Sequence, residues 1–285
     1  MASVSVFIGL VSHVRSSFSQ NQGSEGLAAL LAVALRELGH ECESRVITEN
    51  LFDENPFLLT PEMSRESVFE EIRLESQWFE FLERGDRLGQ LVRVAGRRAR
   101  FFLNWKKNSQ DRELRRLLNI EYSHIDLYRR AVGSGASWAI ILEDDATSAD
   151  VNGLLNGLLP LIQSNSSVKM INLSESFTLD QIGVRHLLRP LDGLRWDGNS
   201  ARTLLGVRKP ATNTVCAIAF CTDFLAEILT DFDAQPAFPV VPIDWKLNAT
   251  LMRLYESGAI GANECLFIEP APIIQLSMVR DREAN

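Results

Sequence analysis

Apolar positions near the start of the chain follow two different periods. The run at 4–11, VSVFIGLV, is short and β-branched, which is typical of a buried strand. Residues 26–40 carry apolar side chains at helical spacing and end in Gly-His, which predicts a helix. A second strand is predicted at 42–48. Because strand, loop, helix and strand follow one another, the chain is expected to build a parallel sheet.

The same alternation of elements continues to the end of the chain. Helices are predicted at 113–135, 148–163, 223–232 and 243–258, and strands at 138–144, 167–174, 214–222 and 265–270. Ser148 or Asp150 is expected to cap the second of these helices. Residues 174–213, rich in Gly, Pro and charge, are predicted to form a long loop, and such loops tend to be functional. The pattern predicts an α/β fold, with a mostly parallel central sheet flanked by helices, in one domain at 1–285.

A helical insertion is predicted at about 62–116. Its first part, 62–83, is acidic, whereas 84–116 holds eleven Lys or Arg against three acids, interleaved with apolar side chains. Three interpretations stay open for this basic stretch. Its arginines pair with the acidic helix, or it contacts an anionic membrane surface, or it binds nucleic acid. The net charge of −8 disfavours the last, since nucleic-acid binding needs surplus positive charge.

Composition places the chain among ordinary globular enzymes. Apolar residues make up 46 % and charged residues 23 %. No apolar stretch approaches the roughly 20 residues that span a bilayer, and the N-terminus resembles a first strand more than a signal peptide. A cytoplasmic location is expected, with peripheral contact at the inner face of the membrane as an option. The four cysteines lack metal-type spacing and are expected to be reduced thiols.

Three consecutive carboxylates, Glu143, Asp144 and Asp145, follow the predicted strand at 138–144. Functional groups of parallel sheets gather beyond the carboxyl ends of the strands. Adjacent carboxylates repel unless a proton or a cation neutralises them, and their oxygens suit Mg²⁺ or Mn²⁺. The pattern therefore indicates a site for a metal ion and a diphosphate. Two alternatives remain, namely a solvated loop and a cap for the helix that starts near Ser148.

Four segments together resemble glycosyltransferase family 25, which includes lipooligosaccharide-type galactosyltransferases. The hallmark is YSHIDLYRRAVGSGASWAIILEDDA, a Ser-His pair on a helix followed, about 20 residues later, by a hydrophobic strand ending in Glu-Asp-Asp. The segments TNTVCAIAFCTDFLAEIL, VVPIDWKLNATL and IEPAPIIQLS resemble later parts of the family pattern. The resemblance covers residues 120–277, whereas the opening FIGLVSHVRSS and residues 60–116 depart from it.

The resemblance implies a GT-A-like fold and a nucleotide-sugar donor, with a UDP-sugar favoured. It implies Mn²⁺ or Mg²⁺ held by Asp145 together with Asp144, Asp144 also reaching the ribose or a metal-bound water, and Glu143 shaping the turn. Chemistry of this kind transfers a sugar to a hydroxyl acceptor, with inversion expected. The implied acceptor is a glycan or glycolipid of the cell envelope, as in lipopolysaccharide biosynthesis.

Five further residues are candidates for the site. Asp244 begins a helix, where it is either an N-cap or the general base for the acceptor hydroxyl. Ser123 and His124 are donor-site candidates by resemblance, and the alternative for His124 is a structural hydrogen bond. Arg15 could meet a diphosphate or a base, or lie in a solvated loop. Glu175, after a strand, could contact substrate.

Two rival functions stay open at this point. The first is another metal-dependent enzyme acting on diphosphates, such as a nucleotidyltransferase. The second is a non-catalytic module that binds a sugar nucleotide or a membrane surface. Metal-dependent nucleotide binding separates the enzymes from a membrane-surface module, and turnover separates the enzymes from a sugar-nucleotide module.

Overall fold

The computed structural model describes most of the chain. The described residues are 3–13, 16–48, 73–74, 76–83, 88–89, 92, 95–96, 99, 110–164, 167–191, 196, 202–235 and 242–283. Much of the predicted insertion at 62–116 lies outside these ranges, although residues 73–74 and 76–81 are helical as predicted. Arg15 also lies outside the described residues.

One mixed sheet of eight strands forms the centre of the described structure. The described residues form ten strands in all, β1 (Ser5–Val11), β2 (Glu41–Ile47), β3 (Trp138–Glu143), β4 (Ala146–Thr147), β5 (Met170–Asn172), β6 (Leu188–Pro190), β7 (Thr203–Val207), β8 (Ala217–Cys221), β9 (Cys265–Glu269) and β10 (Ile274–Gln275). The large sheet has the order β2-β1-β3-β8-β5-β9-β7-β6, and β4 pairs separately with β10. Six strands of the large sheet run in one direction and only β7 and β8 oppose them, so the sheet is mostly parallel.

Helices cover both faces of this sheet. They are α1 (Leu27–Glu37), α2 (Gln110–Gly133), α3 (Val151–Ser164), α4 (Thr222–Ala234) and α5 (Ile243–Glu256), and a further helix, α6 (Leu276–Glu283), follows β10. Successive strand residues point to opposite faces, so Phe7 and Ile141 pack with α2, α4 and α5, while Ile8 and Ile140 pack with α1 and α3. Strands that are covered on both faces need continuous apolar runs, which explains the unbroken apolar character of β1 and β3.

The predicted elements on either side of the acidic triplet are confirmed. The expected strands correspond to β1, β2, β3, β5, β8 and β9, and the expected helices to α1 through α5, with ends that differ by a few residues. The cap of α3 is Asp150 and not Ser148, because the Gly153 amide donates a hydrogen bond to Asp150 Oδ1 at 2.8 Å. The α/β fold with helices on both faces follows the expectation from periodicity.

The prediction of a long loop at 174–213 is wrong. A 3-10 turn at Arg185–Leu187 leads into β6, which pairs with β7, and β7 in turn pairs with β9. The reason is the short apolar run TLLGV, in which Leu204, Leu205 and Val207 are buried. This run is flanked by charged and Gly-rich segments that hid its strand character. Two antiparallel strands therefore extend the sheet where irregular chain was expected.

Within the described residues, no helix has both the length and the apolar content that crossing a bilayer requires. The basic stretch at 84–116, which is one candidate for contact with a membrane surface, lies mostly outside those residues. The expected cytoplasmic location, with peripheral contact at the inner face of the membrane as an option, stays a prediction.

Replacing Gly157 by alanine is expected to destabilise the fold. A Cβ at this helical position would lie 2.1 Å from the buried Trp196 indole, well inside contact distance. The cost is expected to be about 1–3 kcal/mol of unfolding free energy, because a close-packed core cannot absorb an added methyl group without shifting. Urea denaturation followed by tryptophan fluorescence measures this change.

Gly133→Ala is the matched control for that substitution. Gly133 is the last residue of α2, and nothing lies within 4 Å of its added Cβ. Ala is the better helix former, so this variant is expected to be as stable as the parent or slightly more stable. Equal losses in the two variants would contradict the close packing of Gly157 against Trp196.

Candidate active site

One edge of the sheet collects polar residues from strands that are distant in sequence. Glu143 is the last residue of β3, Ser12 follows β1, and Ser174 lies just after β5. The antiparallel strand β8 starts at this same edge, and Cys216 immediately precedes it. This edge is where open α/β sheets bind their ligands. We therefore take it as the candidate active site.

Glu143 faces helix α2 and the C-terminal segment. Its Oε1 lies 3.3 Å from Nε2 of His124, a residue with no exposed surface. Its Oε2 accepts a hydrogen bond from Gln275 Nε2 at 3.4 Å, and Ser176 Oγ donates to Gln275 Oε1. The Glu143 side chain is 19 % exposed, so it still reaches the outside of the protein. Glu143 is therefore held on two sides and open on a third.

Asp144 faces the loop between β1 and α1. Ser12 Oγ donates a hydrogen bond to Asp144 Oδ2, and Gln22 Nε2 donates to the same Ser12 oxygen at 2.7 Å. Asn21 Nδ2 donates to the backbone oxygen of Asp144. The loop then passes so close to Gly26 that a Cβ there would lie 1.9 Å from the Asn21 carbonyl oxygen. Only glycine fits this approach, and the loop is thereby fixed against the triplet.

Asp145 is the most buried of the three acids, at 6 % exposed. Ser277 Oγ donates to its Oδ2, Cys216 Sγ lies 3.7 Å from its Oδ1, and the Leu276 amide donates to its backbone oxygen at 2.9 Å. Burial raises the pKa of Asp145, the negative charge of Glu143 raises it further, and the hydrogen bond from Ser277 opposes this rise. The ionised form of Asp145 is therefore costly here unless a cation is close.

Asp244 lies in the first turn of α5, whose N-cap position is occupied by Pro242. The interpretation of Asp244 as an N-cap is therefore wrong. The Trp245 amide donates to Asp244 Oδ1 at 3.0 Å. Burial raises the pKa of the half-buried Asp244 carboxyl, and the negative charge of Glu143 raises this pKa further. The hydrogen bond from Trp245 and the nearby His124 lower it. Since the charges of Glu143 and His124 both influence Asp244, we keep it among the candidate site residues.

A buried ion pair fixes α5 beside α2. Lys246, two residues after Asp244, pairs with Glu121 on α2, and their side chains are only 12 % and 6 % exposed. The Lys246 ammonium also lies 5.2 Å from the centre of the Phe232 ring. Since α2 carries His124 as well, this pair holds the Asp244 turn and His124 in one arrangement. Removing either partner alone would leave a buried charge without compensation.

The other site residues predicted from the sequence lie at different positions. Ser123 is buried, at 5 % exposed, next to His124 on α2, and none of the hydrogen bonds that hold the acidic triplet comes from it. Glu175 is half-buried just beyond β5, at the same edge of the sheet. His124 Nδ1 has no hydrogen-bond partner among the residues that the structure describes. Arg15 lies outside them, so its predicted role stays a prediction.

Sequence reasoning missed five side chains that contact the triplet. These are Ser12, Asn21, Cys216, Gln275 and Ser277. Ser12 directly follows the predicted strand at 4–11, and this position is the signal that could have marked it, whereas Cys216 lies inside the strand predicted at 214–222 and carried no such signal. Gln275 lies in β10 and Ser277 lies two residues after it, and this strand of two residues is too short to be predicted.

Three donor atoms at this edge could hold a metal ion. Glu143, Asp145 and Cys216 each offer one such atom, and these atoms lie within 4.8 Å of one another. The carboxylate of Asp144, which was expected to be a second ligand, is not part of that group. Carboxylate oxygens suit hard divalent ions, and the sulfur adds a softer donor. The donor set thus fits a divalent transition-metal ion.

A cavity of about 330 Å³ lies at the other end of β3, lined by residues that include Ser137, Trp138 and Cys221. It is therefore at the opposite edge of the sheet from the acids. No cluster of titratable side chains lines that cavity. We place the candidate site at the carboxylates, where charge and hydrogen bonding converge.

Comparison of the chain with models of protein families and with curated proteins finds no match. The resemblance to glycosyltransferase family 25 therefore rests on the residues of the chain itself.

Asp145→Asn is expected to stabilise the metal-free protein at neutral pH, on the order of 1 kcal/mol. The folded state raises the pKa of Asp145, so its charge costs stability at pH values above that pKa. Below about pH 4 both states carry the protonated acid, and the difference between variant and parent should vanish. Urea unfolding in the presence of a chelator, at about pH 4 and at about pH 8, measures it.

Asp233→Asn is the control for that experiment. The Asp233 side chain is 63 % exposed and pairs with Arg129 at the surface, so its loss should change stability by only a few tenths of a kcal/mol. If Asp145→Asn instead destabilises the protein equally at both pH values, hydrogen bonding to Asp145 outweighs the cost of its buried charge.

Proposed function

We propose that the protein is a GT-A-like glycosyltransferase that moves a sugar from a nucleotide sugar, most simply a UDP-sugar, to a hydroxyl acceptor. The observation that carries the proposal is the cluster of three carboxylates, Glu143, Asp144 and Asp145, at the ligand-binding edge of the sheet, of which two form a possible metal-binding group with Cys216. By resemblance, the acceptor is a glycan or glycolipid of the cell envelope.

The charge of the site supports a cation and a diphosphate. The contacts to the triplet within the described residues come from hydroxyl, amide and thiol groups and from His124, and none comes from Lys or Arg. A divalent ion between Glu143 and Asp145 would relieve their repulsion and would attract the diphosphate of a nucleotide sugar. When bound, the ion supplies Lewis-acid stabilisation of the departing diphosphate.

Asp244 is the proposed general base. An inverting transfer forms the new bond between acceptor oxygen and sugar carbon as the bond to the diphosphate breaks, and the acceptor proton must go to a base. The raised pKa of Asp244 brings this carboxyl closer to neutral pH, which improves a general base. Its partial exposure lets an acceptor reach it, and the Lys246–Glu121 pair keeps its turn in place.

His124 and Asp144 are proposed to position the donor. His124 fixes Glu143 from the buried side, so that the carboxylate is oriented toward the proposed metal ion. Asp144 fixes the loop that precedes α1 through Ser12 and Asn21. A loop held in this way next to a helix N-terminus is a suitable place for the nucleotide part of the donor.

Isothermal titration with UDP, with and without Mn²⁺, tests the binding part of the proposal. UDP is expected to bind more tightly with Mn²⁺, and Asp145→Ala should remove that metal-dependent gain, by about tenfold or more. Asp233→Ala, at an exposed carboxylate that pairs with Arg129 at the surface, should leave the gain intact. Absence of metal-dependent binding to UDP, and likewise to GDP and CDP, would sink the transferase proposal.

Asp244→Asn tests the catalytic part. The variant is expected to keep UDP and metal binding and to lose turnover by about 10²-fold or more, because the amide cannot accept the acceptor proton. A hydrolysis screen over a panel of nucleotide sugars with divalent metal first identifies the donor. Full turnover in Asp244→Asn would reject the base assignment. Cleavage of a nucleoside triphosphate with no sugar transfer would favour the nucleotidyltransferase rival.

A further inference from the structure

Strand pairing places Cys216 directly beside the acidic triplet. Strands β3 and β8 are antiparallel with Leu142 opposite Ala217, and the Glu143 amide donates to the Cys216 backbone oxygen at 2.8 Å. Glu143 and Cys216 are therefore the next opposing residues of this ladder. This pairing brings Cys216 next to Glu143 at the ends of β3 and β8.

The Cys216 sulfur points at the proposed metal position. It lies 3.7 Å from Asp145 Oδ1, and donor atoms of Cys216, Glu143 and Asp145 all lie within 4.8 Å of one another. Cys216 is completely buried, so the sulfur is turned into the protein and away from solvent. Two carboxylates and a thiol around one point are a mixed set of hard and soft donors.

A second observation concerns Ser174, whose hydroxyl is buried at 2 % exposed. It makes no hydrogen bond of normal geometry within the described parts of the chain, which is uncommon for a buried hydroxyl. Asn172 of β5 pairs with Ile218 of β8, and the Leu173 amide donates to the Ala217 backbone oxygen at 3.0 Å, so the next residue, Ser174, comes beside Cys216. A buried hydroxyl without a hydrogen bond of normal geometry thus adjoins the cluster and could bind a metal-bound water.

We propose that Cys216 is a protein ligand of the metal ion, together with Glu143 and Asp145, and that its sulfur makes the site selective for thiophilic divalent ions. On binding, the thiol proton passes to solvent and the sulfur donates an electron pair to the ion. A site with sulfur favours Zn²⁺ and Cd²⁺ strongly, and Mn²⁺ over Mg²⁺, whereas an all-oxygen site accepts Mg²⁺ readily. This inference deepens the proposed function, because it rests on the same site and names its ion class.

The test uses Cd²⁺ as the probe, in the full chain without nucleotide. Cys42 and Cys221 are partly exposed thiols, so the parent for all measurements carries Cys42→Ser and Cys221→Ser. In this parent, Cd²⁺ is expected to bind at least about tenfold more tightly than Mg²⁺ by calorimetry. The ultraviolet absorbance of a cadmium–thiolate bond should rise with the same binding curve.

Adding Cys216→Ser is expected to weaken Cd²⁺ binding by about 10- to 100-fold and to change Mg²⁺ binding by less than about threefold. The ultraviolet signal should disappear as well. Cys265→Ser is the matched control, because this thiol is equally buried but donates to the Ala211 carbonyl, outside the cluster. That variant should keep the Cd²⁺ affinity and the signal, and thermal unfolding confirms that each variant is folded.

Unchanged Cd²⁺ affinity in folded Cys216→Ser overturns the proposal, and so does a parent with no preference for Cd²⁺ over Mg²⁺. If Cys216→Ser does not fold, the cadmium–thiolate absorbance of the Cys265→Ser variant decides, because Cys216 is then the only thiol left in the chain. Cd²⁺ binding through Cys216 in a protein that binds no nucleotide supports the ligand assignment and rejects the transferase. Metal-dependent UDP binding that is unchanged in Cys216→Ser supports the transferase and rejects the ligand assignment.

Discussion

The mutual repulsion of three adjacent carboxylates is the constraint on which the rest of this site depends. At the end of β3 the chain turns these carboxylates toward different segments. Glu143 faces α2, Asp144 faces the loop after β1, and Asp145 faces the start of β8 and the C-terminal segment. Each acid thereby gains hydrogen bonds that reduce the cost of its charge. The same contacts bring four parts of the chain to one edge of the sheet.

The fold could be predicted as far as side-chain periodicity determines it. An apolar run such as β3 and an amphipathic stretch such as α1 carry their own patterns, and both were predicted within a few residues. Strand direction carries no such pattern, so the reversed orientation of β8 was not foreseen. The pair β6 and β7 escaped prediction because three- and five-residue strands between charged segments are too short to show a period.

The site could be predicted where its functional residues are consecutive in the sequence. The acidic triplet marked the right edge of the sheet, because the position of ligand sites follows from topology. The partners of the triplet could not be found in this way, because they are distant in sequence. Ser12 and Ser277, for example, each lie 132 positions from the acid to which they donate a hydrogen bond. Cys216 looked like an ordinary apolar-strand cysteine until the antiparallel pairing with β3 was known.

The long sequence separation of these contacts ties occupancy of the site to the folding of the whole chain. Ser12 and Ser277 lie near opposite ends of the described sequence and both contact the acids. The binding geometry therefore exists only after the large sheet has formed and β10 has paired with β4. Contacts of this range form late and slowly in folding. A bound ion or nucleotide would therefore stabilise the global native state instead of one local loop. In a cell, ligand supply would then help to set how much of this protein survives proteolysis.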